Sequence, residues 1–168
     1  MKWVTHQAGA LAAALLCKTE PLVSAAMVLG AVLPDAIEHG VSRGNRQLFL
    51  AIHRGFFHWF GLYAAGLLAV ACLPLSPREQ AAAAGLLIGA LSHIALDALN
   101  PSGVPLLPLR NRPRLRLPLV STGSLREWIF LAGLLALIVL GGYRLDERWF
   151  RKLAKWWHSS WGFCTIFS

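Results

Sequence analysis

Charge is scarce in this sequence. Asp, Glu, Lys and Arg make up 14% of its 168 residues, against about a quarter in ordinary soluble domains, which excludes a conventional water-facing surface. Cysteine is sparse as well. Cys17, Cys72 and Cys164 stand far apart with no CxxC among them. No disulfide framework can be read from such spacing, and the redox compartment stays open. Cys17 and Cys72 lie in apolar runs and read as packing residues. No internal repeat or low-complexity linker divides the chain, so one domain is the simplest organisation. Met1-Lys2-Trp3 does not open a convincing signal peptide, because no small-residue cleavage site precedes a soluble mature domain.

Apolar side chains are what the sequence has in excess: 56% of residues, with a mean hydropathy of +0.54. A soluble domain this small cannot bury so much apolar surface, and the bilayer is the natural solvent for the remainder. The formal net charge of +8 and a pI near 10.3 would suggest nucleic acid in a soluble protein. Here the basic residues sit between apolar runs and after the last one, the pattern of charge that flanks membrane spans and faces anionic headgroups. Membrane lipids are therefore the expected partners, and no nucleic acid is expected.

Three runs approach the roughly 20 residues a helix needs to cross a bilayer: Phe56 to Leu73, Gln80 to Leu99, and Trp128 to Tyr143. Two shorter runs precede them, Trp3 to Cys17 and Leu22 to Leu33, separated by Lys18-Thr19-Glu20-Pro21. These are either two tilted spans or a re-entrant helical hairpin, and both bring the chain back to its starting side. Two long polar connections remain, Asp35 to Gly55 and Asn100 to Arg126; the second carries Arg110, Arg112, Arg114 and Arg116 and reads as a lipid-facing loop. The expected fold is all-α: a polytopic membrane helical bundle of about four to five membrane helices with a polar site at one end. Residues 1–145 form the helical domain. Residues 146–168 form a basic-aromatic tail suited to the headgroup region, where Arg148, Arg151, Lys152 and Lys155 alternate with Trp149, Phe150, Trp156 and Trp157.

Alternating crossings gather the polar residues. His6 starts the first helix; Asp35, Glu38 and His39 follow the second; His53 and His58 precede the third. His93 and Asp97 lie in the last turns of the fourth, and Glu127 starts the fifth. All fall on the same side, and of the six histidines only His158, in the tail, does not. Ionisable groups near hydrocarbon usually face a bundle interior or aqueous cavity, so a shared polar pocket is expected. His93 and Asp97, four residues apart, share a helix face and can reach one ion or two adjacent ions; the plainer reading is a hydrogen-bonded buried pair. His53 and His58, five apart, would diverge by about 140° on a continuous helix. Gly55 can break the helix between them and let both turn inward; otherwise His53 is solvated and His58 is an interfacial aromatic. Asp35 suits an ordinary turn after Pro34, His6 a helix start, and Glu127 either a ligand, a partner for Arg126 or a helix cap.

Several strings occur in order: Thr5-His6, Leu33-Pro34-Asp35, His53-Arg54-Gly55-Phe56-Phe57-His58, Ser92-His93-Ile94-Ala95-Leu96-Asp97, Asn100-Pro101-Ser102-Gly103-Val104-Pro105-Leu106-Leu107, Arg116-Leu117-Pro118 and Gly123-Ser124-Leu125-Arg126-Glu127. With these the chain resembles the bacterial YdjM-like family of membrane-bound metal-dependent hydrolases, from about Thr5 to Tyr143 and most specifically from Ser92 to Leu107. It departs from the family's usual early acidic motif, in which the second carboxylate is an Asp one position earlier than Glu38. The family's hydrolase label follows a likeness to zinc-dependent phospholipase C, a helical fold with histidines and carboxylates on facing helices.

The resemblance implies an inner-membrane hydrolase acting at the membrane surface on a phosphoester such as a phospholipid headgroup. The expected core metal ligands are His53, His58, His93 and Asp97, with His6 and Asp35 next and Glu127 at the same end. Asp35 or Glu38 would orient the attacking water, and Arg54 would hold a phosphate oxygen. Asn100 and the Gly103 loop would shape the mouth. An imidazole-rich set favours zinc, with manganese or iron as alternatives, in a site for one to three ions. The competing reading is a non-enzymatic factor braced by metal that acts in lipid or envelope regulation or in a transfer apparatus. A transporter fits less well, since the polar residues lie at one end and no inverted repeat is visible. Basic residues divide almost evenly between the two sides, so the positive-inside bias does not orient the chain, and the oligomeric state is open.

Overall fold

Seven α-helices carry the fold in the computed structural model, which describes residues 1–108 and 113–144 together with Lys155. The rest of the basic-aromatic tail, including His158, and Arg110 and Arg112 of the arginine run lie outside the described residues. The helices are α1 (Trp3–Leu16), α2 (Pro21–Gly30), α3 (Leu33–Ser42), α4 (Arg46–Ile52), α5 (Phe60–Cys72), α6 (Pro77–Ala98) and α7 (Leu125–Arg144). A 3₁₀ turn, Phe56–His58, precedes α5. Between α6 and α7 the chain makes a short antiparallel ladder, β1 (Val104–Pro105) on β2 (Arg114–Leu115), with Val104 opposite Leu115.

α6 is the central element and packs against α1, α2 and α5, while α7 packs on α1. Its start is fixed by Ser76, whose hydroxyl accepts from the Glu79 amide while the Glu79 carboxylate accepts from the Ser76 amide, with Pro77 in the first turn. This box sets the start at Pro77, ahead of the apolar run itself. Its 22 residues span roughly 33 Å, and it is the one helix among the described residues long and apolar enough to cross a membrane unaided. α1 has 14 residues and α2 has 10, roughly 21 and 15 Å, short of the roughly 30 Å of a hydrocarbon core. α2 and α3 pass the same test only as a pair, bent by 43° at their junction.

That junction interrupts the expected run from Leu22 to Leu33, and the polar connection from Asp35 to Gly55 is mostly helix. Pro34 presets the first turn of α3 and Asp35 lies in that turn, where a carboxylate is favoured by the helix dipole. α3 ends at Arg43 and Gly44, both with positive φ, and α4 is then capped by the Asn45 side chain, which accepts from the Gln47 and Leu48 amides.

Small residues bring the helices together. Ala10 and Ala14 of α1 meet Met27 of α2 and Ala31 just after it. Gly30 faces the Leu86 backbone, and Gly89 faces that of Met27, with no room for a Cβ at either position. Close backbone approach through small residues is the usual means of helix packing where lipid, not water, surrounds the bundle. The outside is correspondingly apolar: Leu68 of α5, Ile88 of α6 and Leu135, Val139 and Leu140 of α7 are all exposed.

Candidate metal centre

α6 supplies His93 and Asp97, one turn apart on the buried ridge that also carries Gly85 and Gly89. The close approach of α2 along that ridge sets the Ala31 carbonyl 2.6 Å from His93 Nδ1. A carbonyl only accepts, so Nδ1 donates and the neutral ring carries its lone pair on Nε2. That atom lies 3.6 Å from Asp97 Oδ2 and 3.9 Å from Asp35 Oδ1.

α3 supplies Asp35 and Glu38. The Trp3 indole donates to Asp35 Oδ2 at 2.9 Å, which leaves Oδ1 buried without a hydrogen bond. Oδ1 stands 3.3 Å from His58 Nε2 and 4.0 Å from His53 Nδ1. Glu38 is fully buried; its Oε2 lies 2.8 Å from His53 Nδ1 and its Oε1 2.9 Å from His58 Nδ1.

The segment between α4 and α5 supplies His53, Arg54 and His58. Gly55 is required there because a Cβ would lie 2.7 Å from the Ile52 carbonyl oxygen, and the break it makes turns both imidazoles onto Glu38. Arg54 adopts φ 56°, uncommon for a side chain of this size. Its carbonyl accepts from Arg114 Nη2 at 2.7 Å, while Arg114 Nη1 donates to the Ser102 carbonyl at 3.1 Å. The β2 strand thus grips this turn from outside. Inside, Arg54 Nη2 donates to Asp97 Oδ1 at 3.1 Å, and its Nε and Nη1 are buried without partners.

α1 supplies His6, whose ring stacks on His93 with centroids 3.7 Å apart and planes 14° from parallel. Its Nε2 is 3.5 Å from Asp97 Oδ1, and neither ring nitrogen has a hydrogen bond. The α-amino group of Met1 also donates to Asp97 Oδ1, at 3.0 Å.

Thus His6 Nε2, His58 Nε2 and His93 Nε2 stand 3.5–3.7 Å from Asp97 and Asp35 Oδ1 faces His58 and His93, all four atoms being buried without a hydrogen bond. Leaving such atoms unpaired is costly. Two groups can hold a metal ion: Asp35, Glu38, His53 and His58, and beside them His6, His93 and Asp97. The His58 Nε2 to Asp97 Oδ2 distance of 3.7 Å joins the two. The remaining candidates stand apart. Glu127 Oε1 accepts from the Lys2 amide and the Thr5 hydroxyl, and Oε2 from the Gly123 amide, so it ties the start of α7 to the start of α1. Asn100 donates to Thr122 Oγ1 and accepts from the Ser102 amide, pinning the loop. His39 is exposed, between Trp3 and Phe49.

His58 lies outside the long helices and is electrostatically distinctive. Burial disfavours its charged form, yet contacts with Asp35 and Glu38 and the charge of Asp97 outweigh that and push its pKa up to about 9. Three contributors have no signal in the sequence pattern. The Ala31 carbonyl is backbone; Trp3 pairs with Asp35 across 32 residues; and Arg114, one of the arginine run, turns inward to the Arg54 carbonyl.

An apolar helical bundle with buried imidazoles and carboxylates able to hold a metal ion at one end is the class of protein these observations define. The chain belongs to the YdjM inner membrane protein family, whose match extends over residues 1–167. It is a protein of the inner membrane. Among curated proteins it is similar to the uncharacterized protein YvsG of Bacillus subtilis (strain 168), with 34% identity over 122 residues, 67% of this chain and 73% of that protein. No solved structure matches it. The donor set suits the divalent metal that the resemblance implies. Zinc bonds of about 2.0–2.1 Å place tetrahedral neighbours roughly 3.4 Å apart, close to the 3.3–3.9 Å separations found here.

Proposed function

We propose that the protein is an integral-membrane, metal-dependent hydrolase acting on a phosphoester, such as a phospholipid headgroup, at the membrane surface. The observation that carries this reading is the set of four buried, unpartnered donor atoms on His6, Asp35, His58 and His93. His58, His93, Asp35 and Asp97 Oδ2 would hold the ion, with His6 stacked beside His93 and Asp97 Oδ1 accepting from Arg54 and the Met1 amine. When bound, a divalent ion supplies Lewis acidity: it polarises a phosphoryl oxygen and makes water a stronger acid. The imidazole-rich set favours zinc over manganese or iron. Arg54 offers two free guanidinium donors to an anionic oxygen, a role its planar fork suits. Both oxygens of Glu38 are engaged by histidines, and Asp35 offers Oδ1 to the ion while its Oδ2 accepts from the Trp3 indole. In the membrane, α1, the bent α2–α3 pair, α5, α6 and α7 make five crossings, and the exposed apolar faces of α5, α6 and α7 meet lipid.

A second reading, a non-enzymatic factor braced by metal, draws on the complete burial of His6, His58 and His93. One experiment separates the two. Detergent-purified protein is analysed for metal and assayed on a panel of phosphoesters before and after chelation. Bound metal with chelator-sensitive hydrolysis is the expected result. Metal without hydrolysis favours the bracing role, and absence of metal rejects both.

A further inference from the structure

Glu38 has no counterpart among the other carboxylates of the site. It is fully buried, and each of its oxygens faces the Nδ1 of a different histidine, His53 at 2.8 Å and His58 at 2.9 Å. An ionised carboxylate has no proton to give, so both rings donate through Nδ1–H. Each ring, once neutral, then carries its lone pair on Nε2. For His58 that atom is buried, unpartnered and turned toward Asp35 Oδ1 and Asp97 Oδ2. His93 is prepared in the same sense by the Ala31 carbonyl. His53 differs, because its side chain is 31% exposed and its ring stacks on Phe49, with centroids 4.8 Å apart.

We propose that Glu38 is a positioning residue rather than a metal ligand or a base: it fixes His58 as an Nε2 donor to the ion, while His53, itself outside the coordination sphere, holds the other carboxylate oxygen. The inference rests on the metal-binding reading above. It deepens that reading by dividing the four-residue group of Asp35, Glu38, His53 and His58 into two that would touch the ion and two that would not. Each Glu38 oxygen already accepts a short bond from an imidazole. Carboxylates that orient ligating histidines in this way fix the tautomer and raise the basicity of the donor.

The test counts imidazoles around zinc by X-ray absorption in detergent-purified protein loaded with Zn²⁺, and measures zinc affinity by chelator competition. His53→Ala is expected to keep the wild-type imidazole count, and His58→Ala to lose one. Glu38→Ala is expected to weaken zinc by roughly 10–100-fold, the range for an outer partner of a ligating histidine, with the oxygen ligands unchanged. Glu38→Gln is expected to weaken it less, because the amide oxygen still accepts from one Nδ1–H; this variant keeps the test decisive if the alanine variant does not fold. Loss of an imidazole in His53→Ala overturns the proposal. So does loss of an oxygen ligand in Glu38→Gln with the histidines intact, or wild-type affinity in Glu38→Ala. A wild-type protein that takes up no zinc rejects the metal reading itself, a result distinguishable from all of these.

Discussion

His93 and Asp97 meet more of the site than any other pair. His93 is fixed through Nδ1 and free at Nε2, and Asp97 faces His6, His58, His93, Arg54 and the Met1 amine at once. His93→Ala and Asp97→Ala are each expected to lower zinc affinity beyond the roughly 10–100-fold of an outer-partner change, since a ligand itself is lost. His39→Ala, at an exposed position, should leave affinity unchanged. Elemental analysis of folded variants checks this, and wild-type metal content in both site variants would reduce the pair to a buried polar contact. His58 adds a pH dependence. Its folded pKa of about 9 lies above the ordinary 6.5, so in metal-free protein its contribution to stability is complete below pH 6.5 and is lost as pH rises toward 9. Over the same interval zinc competes with fewer protons and binds more tightly. Thermal unfolding in detergent should therefore show metal-free protein weakening from pH 6.5 to 9 and the gap to zinc-loaded protein widening. A gap that narrows would contradict the assignment of His58 as a ligand.

At the scale of elements, the site depends on how closely α2 approaches α6. Gly85, Gly89, His93 and Asp97 follow one another at four-residue intervals on one ridge, so the contact that buries the glycines also delivers the Ala31 carbonyl to His93. Gly89→Val sets a branched side chain against the Met27 backbone. It is expected to cost about 3 kcal/mol, the upper end for overpacking, because backbone cannot give way as a side chain can. It should also weaken zinc, although residue 89 touches no donor. A lower melting temperature with unchanged zinc affinity would show that the ridge and the site are independent. The same contact explains what the sequence made legible. Helical period alone puts His93 and Asp97 on one face, and an alternation of crossings is the expectation that brings His6, Asp35 and His58 to the same end. The break between α2 and α3 was not legible, because the apolar run continues through Ala31 and Val32 to Leu33 without a polar residue. Nor was α4, whose seven residues are too few for a helical period to stand out. The outward-reading arginine run concealed Arg114, whose target is the backbone carbonyl of Arg54, a residue of positive φ, and a backbone target leaves no pattern in side chains.

For the whole molecule, the proposed order of crossings would put the polar groups at one end, and it can be tested without reference to metal. The turn between α1 and α2 and the turn between α5 and α6 should lie on one side of the membrane. The α3–α4 connection and the loop before α7 should lie on the other, with the site. Because basic residues divide almost evenly between the two ends, charge does not decide which side is cytoplasmic, but the alternation holds in either orientation. Single cysteines at Gln47, Leu75 and Ser121, all exposed positions, report it while sparing the caps at Asn45 and Ser76. They would be placed in a background lacking Cys17, Cys72 and Cys164; Cys17 and Cys72, expected as packing residues, are instead exposed and so replaceable at little cost. An impermeant thiol reagent applied to intact cells and then to inverted vesicles should label positions 47 and 121 together and position 75 only from the opposite side. Three short or bent elements, α1, the α2–α3 pair and α5, have to count as full crossings for this pattern. If position 75 is labelled together with the other two, α5 and α6 do not cross as separate spans. The histidines of the 3₁₀ turn and those of α6 would then owe their meeting to something other than the topology of the bundle.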